Sequence, residues 1–430
     1  MGHELNQSHH SKSFSYHFLL SKMEATAMPD LDFFYPQPGM KLKDGRYELL
    51  RPLGSGAYST TWIVYDAKTE RPHRYAAVKI LTRMATEGHR SGTMNESAFL
   101  KAIMGLALSH RITLPILLDD FEILGPAGPH LCFVTGVMGQ DVSSYRNSSP
   151  SKALHPCIAK KILMDVVDAL HTLHQAHIIH TDVKANNIFF VGISDKLIEE
   201  KLLNHPLEVV GQFELSDGTK HSVFAPRTFE QPPPWEMSHR VSEAVSFSLM
   251  GLDHAQWAGR QPTVGVCGSI ALRAPEIVIG SDFGPRLDTW EFGCLAYELL
   301  AGESLFNPVG SDDREMEADL LAQAFALTGE RFSKLTLSRA QRSDDILDEE
   351  GNLKGREELS PTSLEERLSA RGFIPDAEIK PAADFIGMCL RVNSADRPTA
   401  DDFWCDDWLQ GAFYYCLGGH SSYPGYSGMA

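Results

Sequence analysis

At 430 residues, 43% hydrophobic and 22% charged, the chain has the composition of a soluble globular protein, long enough for one big domain or two lobes. A net charge of −17 argues against direct nucleic-acid binding, because a phosphate backbone would be repelled, and favours basic partners. No apolar run approaches the roughly 18 residues of a membrane span. Seven scattered cysteines without a C-x-x-C pair point to neither a disulfide framework nor a zinc site.

The cysteines read instead as small buried residues of a reducing compartment, cytosol or nucleus. Residues 1–34 carry His9, His10, Lys12 and scattered Ser without a clean apolar core, which predicts a disordered extension rather than a signal peptide. From Tyr47 the pattern turns to strands, Tyr47–Leu53, Thr60–Asp66 and Tyr75–Leu81, with glycine and charged turns between them. A helix over Asn95–Leu106 and strands over Ile116–Ile123 and Leu131–Val137 complete a small β-rich lobe, about 47–138.

Beyond Gly139 the pattern is helical, and Ile158, Ile162, Val166, Leu170 and Leu173 form one core-facing stripe. Thr289–Leu300 and Asp384–Leu390 read as further helices of a larger lobe, about 139–410. Two stretches look inserted. Residues 194–246 contain Pro232-Pro233-Pro234 and little periodicity, the pattern of a functional loop or a disordered segment. Residues 310–368 are acidic, with a helical pattern around Ala318–Leu327. Residues 411–430, rich in Gly, Ser and Tyr, predict a flexible tail. The fold class expected is α+β and bilobal.

The chemistry concentrates in His180-Thr181-Asp182-Val183-Lys184-Ala185-Asn186-Asn187, set between the apolar runs Ile178-Ile179 and Ile188-Phe189-Phe190. An Asp, a Lys two residues on and an Asn five residues on serve phosphoryl transfer. They accept a hydroxyl proton, steady the phosphate and hold a metal ion. The pattern resembles the catalytic loop of a protein kinase. Leu53-Gly54-Ser55-Gly56-Ala57-Tyr58-Ser59-Thr60-Thr61-Trp62 would form a glycine-rich hairpin whose amides approach phosphate oxygens. Ala77-Val78-Lys79-Ile80 then places a lysine on a strand, which makes sense if Lys79 reaches ATP phosphates and pairs with Glu96. In Val134-Thr135-Gly136-Val137-Met138-Gly139 the chain would cross between lobes. Its backbone would read the adenine edge, with Thr135 guarding the back of the pocket.

The match extends further. Gly54-x-Gly56-x-x-Ser59-Thr60-x-Trp62, His180-Thr181-Asp182, Gly268-Ser269-Ile270-Ala271-Leu272-Arg273-Ala274-Pro275-Glu276, Asp288-Thr289-Trp290-Glu291-Phe292-Gly293, Ser304-Leu305-Phe306-Asn307-Pro308 and Ala395-Asp396-Arg397-Pro398 together resemble the SR-protein kinases. The resemblance covers about Tyr35–Leu409. It implies a monomeric serine/threonine kinase domain of the CMGC group over residues 35–410, using ATP and Mg²⁺. Its substrates would be basic Arg-Ser-rich proteins such as splicing factors, in cytoplasm and nucleus. It also implies that Asp182 is the base, Lys184 the phosphate contact, Asn187 a metal ligand and Asp288 the anchor of the catalytic loop. Glu276 and Arg397 would form a buried pair. Ser269 would bond Asp182 and Lys184. Thr181, standing where most kinases carry arginine, implies activity without activation-loop phosphorylation.

One motif departs. Where the family carries Asp-Leu-Gly ahead of Ala-x-Trp, this chain reads Gly251-Leu252-Asp253 before Ala255-Gln256-Trp257. Losing that carboxylate in ordinary geometry costs roughly a thousandfold in rate, about 4 kcal/mol. Three readings stay open: Asp253 replaces the lost metal ligand, the chain is a pseudokinase scaffold for nucleotide or basic peptides, or the register shifts by two. Asp312, Asp313, Glu315, Glu317 and Asp319 offer a wall for an arginine-rich ligand, or simply a solvated helix face.

Overall fold

The computed structural model describes residues 32–410 except 70–72, 107–112, 215–217, 228, 230–244, 261, 263–267 and 356–358. The expected N-terminal extension (apart from its last three residues), the tail from Gly411 and the Pro232–Pro234 run lie outside the described residues.

The small lobe is an antiparallel sheet of six strands: β1 (Lys41–Leu42), β2 (Tyr47–Ser55), β3 (Ser59–Asp66), β4 (Tyr75–Leu81), β5 (Leu117–Gly125) and β6 (Gly128–Thr135). Their order is β1-β2-β3-β4-β6-β5. Alternation places Tyr47, Leu49, Trp62, Val64, Val78, Ile80 and Val134 in one buried layer, as expected of a sheet with one face covered. Two helices follow β4. Helix α1 (Arg83–Ser91) starts at Thr82, whose side chain accepts from the Ala85 amide; α2 (Glu96–Met104) carries Glu96 in its first turn. The sequence reading missed α1. Its low hydrophobicity and Gly88 disguise it, and capping rather than an apolar stripe starts it.

The larger lobe contains α3 (Val142–Asn147) and α4 (Pro156–Gln175). Short pairs then frame the catalytic loop. Strand β7 (Ile178–Ile179) precedes it and β8 (Ile188–Phe190) follows it. Past the first insertion, β11 (Phe247–Leu249) pairs with β8, and β12 (Gln256–Trp257) pairs with β7. The pairing Gln256↔Ile179 ties Ala255-Gln256-Trp257 to the catalytic loop.

The insertion is more regular than its sequence suggested. It forms α5 (Asp195–Ile198), a π-helical turn over Glu199–Leu203, and a hairpin of β9 (Val209–Glu214) and β10 (Lys220–Phe224). It also crosses to the small lobe. The Arg51 guanidinium donates to the carbonyls of Leu202, His205 and Pro206, and Ile63 and Val137 share an apolar cluster with Ile198, Leu202 and Phe229. Its partners lie far off in sequence, so local periodicity carries no trace of them.

Next come α6 (Pro275–Val278), α7 (Arg286–Ala301), α8 (Asp313–Thr328), α9 (Lys334–Ser338), α10 (Ser343–Ile346), α11 (Leu364–Ser369) and α12 (Asp376–Cys389). Helix α7 is buried on nearly every side and packs on α4 and α12. Pro381 lies inside α12 and hid its first half from the sequence reading, because proline ordinarily ends a helix.

Candidate active site

The cleft between the lobes encloses about 320 Å³, within the range of small-molecule sites. Leu53, Gly54, Ser55, Ser59 and Thr61 of the β2–β3 hairpin, Ala77 and Lys79 of β4, Glu96, Thr135, Met138, Asn187 and Asp253 line it. The hairpin tip holds Gly56, Ala57 and Tyr58. The Gly56 amide donates to the Ser59 carbonyl at 2.9 Å, and the Tyr58 ring meets His254 edge-on. Thr60 faces elsewhere, into an apolar hollow with Trp62 and Phe224. The Val137 side chain also turns away, into the cluster with Ile63 and Ile198.

Sequence reasoning missed Leu100, Pro115, Phe133, Phe189, Met250 and Leu252, which complete the walls. Met250 and Leu252 flank Gly251 and were within reach of the motif. The others are ordinary core-type residues with no local signal. Gly139 also lines the cleft; a Cβ there would meet the Phe190 Cβ at 2.9 Å, so this crossing runs too close to β8 for a side chain.

At the inner end Lys79 stands between two carboxylates. Its Nζ donates to Glu96 at 2.8 and 2.9 Å and also to Asp253. Burial opposes its charge, but Asp253 and then Glu96 outweigh burial and raise its pKa. Burial and the charge of Asp253 push Glu96 up to about 8. Burial opposes the charge of Asp253 too, yet Lys79 holds that carboxyl below its ordinary range. The two acids thus divide the roles, Asp253 being the firmly ionised one.

The catalytic loop is held from behind. Asp288 accepts from the amides of His180 and Thr181 at 2.9 and 2.8 Å. The Asn187 amide nitrogen donates to the Asp182 carbonyl and to its Oδ2, both at 2.8 Å, and Lys184 Nζ lies 2.7 Å from the same Oδ2. Among the described residues Asp182 Oδ1 is buried without a hydrogen-bond partner. A buried acceptor left open beside a bound lysine suits a base awaiting a hydroxyl. The Thr181 hydroxyl donates to the His254 carbonyl at 2.8 Å, which ties the catalytic loop to the residue after Asp253. Ser269 is exposed and makes no bond to Asp182 or Lys184 among the described residues. The bond that the resemblance implied is therefore not found, and the exposed position of Ser269 is the reason.

Gly251 takes φ +86°, and a Cβ there would fall 2.7 Å from Asn187 Cγ. The Asn187 side chain therefore fills the space that a side chain at 251 would need. The remaining donors fit a divalent cation. Asn187 keeps its amide oxygen unbonded among the described residues, and Asp253 supplies one carboxylate on the same cleft wall. One or two carboxylates plus substrate phosphates are the usual complement for Mg²⁺. Among the described residues no group of three His, Cys, Asp or Glu side chains converges on a metal position.

Two further expectations resolve differently. Arg397 donates to both Glu276 oxygens at 2.8 and 2.7 Å, a fully buried bidentate pair. The acidic wall is largely consumed internally. Glu317 is buried between Arg273 and Arg342, each at 2.7 Å, Asp319 accepts from the Val309 amide, and Asp312 caps α8. Asp313 is exposed, and the fold brings exposed Asp344 and Asp345 close by, where Arg314 donates to the Asp345 carbonyl at 2.5 Å.

A two-lobed fold with a glycine-rich hairpin, a paired strand lysine and a braced Asp-x-Lys-x-x-Asn loop defines a phosphoryl-transfer enzyme. The family described as protein kinase domain matches residues 47–199 and 249–409, and the chain belongs to it. The unmatched gap falls on the insertion that carries the hairpin. A crystal structure of a kinase domain superposes with a TM-score of 0.60 over 88% of this chain and 99% of its own, at 17% identity, which shows the fold. Among curated proteins, a serine/threonine protein kinase of Aspergillus fumigatus is 28% identical over 90% of this chain and 91% of its own length. The serine/threonine-protein kinase SRPK of Physarum polycephalum is 26% identical over 86% and 87%, and the pig SRSF protein kinase 3 is 23% identical over 87% and 88%. The chain is accordingly a serine/threonine protein kinase, allied to the SR-protein kinases.

Proposed function

We propose that the chain transfers the γ-phosphate of ATP to serines of basic, Arg-Ser-rich proteins, with Asp253 in place of the missing metal-binding carboxylate. The observation that carries this reading is the meeting of Asp253 with Lys79 in the cleft that Asn187 also lines. Mg²⁺, when bound, would neutralise phosphate charge and orient the transferred group. Lys79 binds the nucleotide phosphates while Glu96 holds its position. Asp182 accepts the serine hydroxyl proton at Oδ1, and Lys184 steadies the phosphoryl group.

The substrate class rests on the resemblance and on charge. The net charge of −17 favours a basic peptide, and exposed Asp313, Asp344 and Asp345 supply an acidic edge for it. A second reading, a scaffold that binds nucleotide or basic peptide without efficient transfer, is favoured by Gly251 alone. Radiolabelled transfer from ATP to an Arg-Ser repeat peptide, in Mg²⁺ and separately in Mn²⁺, decides between them, with Asp182→Asn as background. Transfer above that background is expected. Peptide binding by folded protein without transfer in either metal would leave the scaffold reading.

A further inference from the structure

Four consecutive amides of the catalytic loop have identifiable acceptors. Those of His180 and Thr181 reach Asp288, and that of Asp182 reaches His180 Nδ1 at 3.2 Å. The fourth, Val183 N–H, donates at 2.7 Å to Glu291 Oε2. Glu291 lies one turn beyond Asp288 on α7 and is buried. A buried carboxyl is costly unless it is paired, and this one is surrounded by acids rather than by a salt-bridging cation. Burial first, then Asp288 and Asp182, raises its pKa well above the ordinary carboxylate range. What Glu291 does at this point of the fold is accept one hydrogen bond, from the Val183 amide.

The place of that bond matters. Val183 N–H belongs to the peptide that joins it to Asp182, so fixing this amide fixes the backbone from which the Asp182 side chain springs. Gly268 closes the same small space: a Cβ there would lie 3.6 Å from Asp182 Oδ1 and 3.8 Å from Glu291 Oε1. Asp182 Oδ1 has no hydrogen-bond partner among the described residues.

We infer that Glu291 is a positioning residue for phosphoryl transfer: through Val183 N–H it sets the plane of the 182–183 peptide and so aims Asp182 Oδ1 at the substrate hydroxyl. This rests on the kinase reading above. Misplacing a reacting group by an ångström costs about a hundredfold, whereas nucleotide binding at Lys79 and the hairpin should be indifferent to Glu291.

The test compares Glu291→Gln, which keeps the acceptor, with Glu291→Ala and Glu291→Met, which lack it. Met preserves volume should Ala fail to fold. Transfer kinetics are read together with hydrogen exchange of the Val183 amide. The expected result is near wild-type kcat for Gln, a tenfold to hundredfold loss of kcat for Ala or Met, and KM for ATP within about twofold. Val183 should exchange faster only where the acceptor is lost. Wild-type kcat with a protected amide in Glu291→Met would overturn the assignment, as would a Gln variant no better than Met. If the wild-type protein itself transfers nothing, the kinase reading fails separately and exchange alone decides. Faster exchange in Met than in Gln supports the clamp, and equal exchange removes it.

Discussion

Asp253 reaches Lys79 across 174 residues of sequence, from a position where the family resemblance places a glycine. The ordinary order of this motif is therefore exchanged, with the carboxylate carried two residues late. If Asp253 does the lost residue's work, Asp253→Asn should cut phosphate transfer by about a hundredfold or more in a protein that still unfolds cooperatively. Transfer at the wild-type rate would show that the carboxylate is a bystander.

Restoring the family residue alone should fail. Gly251 sits at φ +86°, with Asn187 occupying the place of a side chain. Gly251→Asp should lower stability by about 1–3 kcal/mol without raising turnover. The double exchange Gly251→Asp with Asp253→Gly frees the backbone to take the ordinary arrangement and should outperform either single variant. Denaturant titration and steady-state rates of the three proteins check both statements.

The buried Glu276–Arg397 pair stands apart from the chemistry. Breaking it with Glu276→Gln leaves an unpaired guanidinium in the core, which costs roughly 3–5 kcal/mol. Urea midpoints should fall accordingly, while nucleotide affinity at temperatures where the protein stays folded is unchanged.

His89 gives the fold an acid limit. Its Nε2 is buried without a hydrogen-bond partner among the described residues, and burial, helped by the charge of Lys79, lowers its pKa from 6.5 to about 4. A base whose pKa falls on folding binds more protons when unfolded, so its contribution is intact above pH 6.5 and diminishes as pH drops toward 4. The loss of stability between pH 7 and pH 4.5 should be smaller in His89→Phe than in the parent. An identical loss would place the acid sensitivity in other groups.

Phosphorylation should not be the switch. Thr181 offers no cation for a phosphate, and its hydroxyl is already spent on the His254 carbonyl. Phosphatase-treated protein should therefore keep its transfer rate within about twofold. A large loss would mean that a cation elsewhere performs the grip.

Much of this was readable from the chain. Lys79, Glu96, Asp182 and Asn187 stand out because their chemistry contradicts the apolar runs around them, and the strand register confirms where Ala255-Gln256-Trp257 lies. The distribution of acids was not readable. Glu317 and Asp319 look like a solvent-facing series, but their partners, Arg273, Arg342 and the Val309 amide, arrive from segments that only the fold brings near. Asp344 and Asp345 join Asp313 for the same reason. Val137 lies past the end of β6 rather than on the strand expected over Leu131–Val137, and the direction of its side chain depends on an insertion whose sequence is silent about its destination.

That insertion leaves the large lobe after β8 and fastens to the small lobe through Arg51, Gln37 and Trp62. The lobes are thus joined twice, once by the crossing segment and once by a strap of independent origin. Rotation of the lobes about the crossing segment alone would strain the strap. Cutting that second fastening with Arg51→Ala should therefore speed the release of bound nucleotide, read by stopped-flow, through a segment of which no described residue lines the cleft.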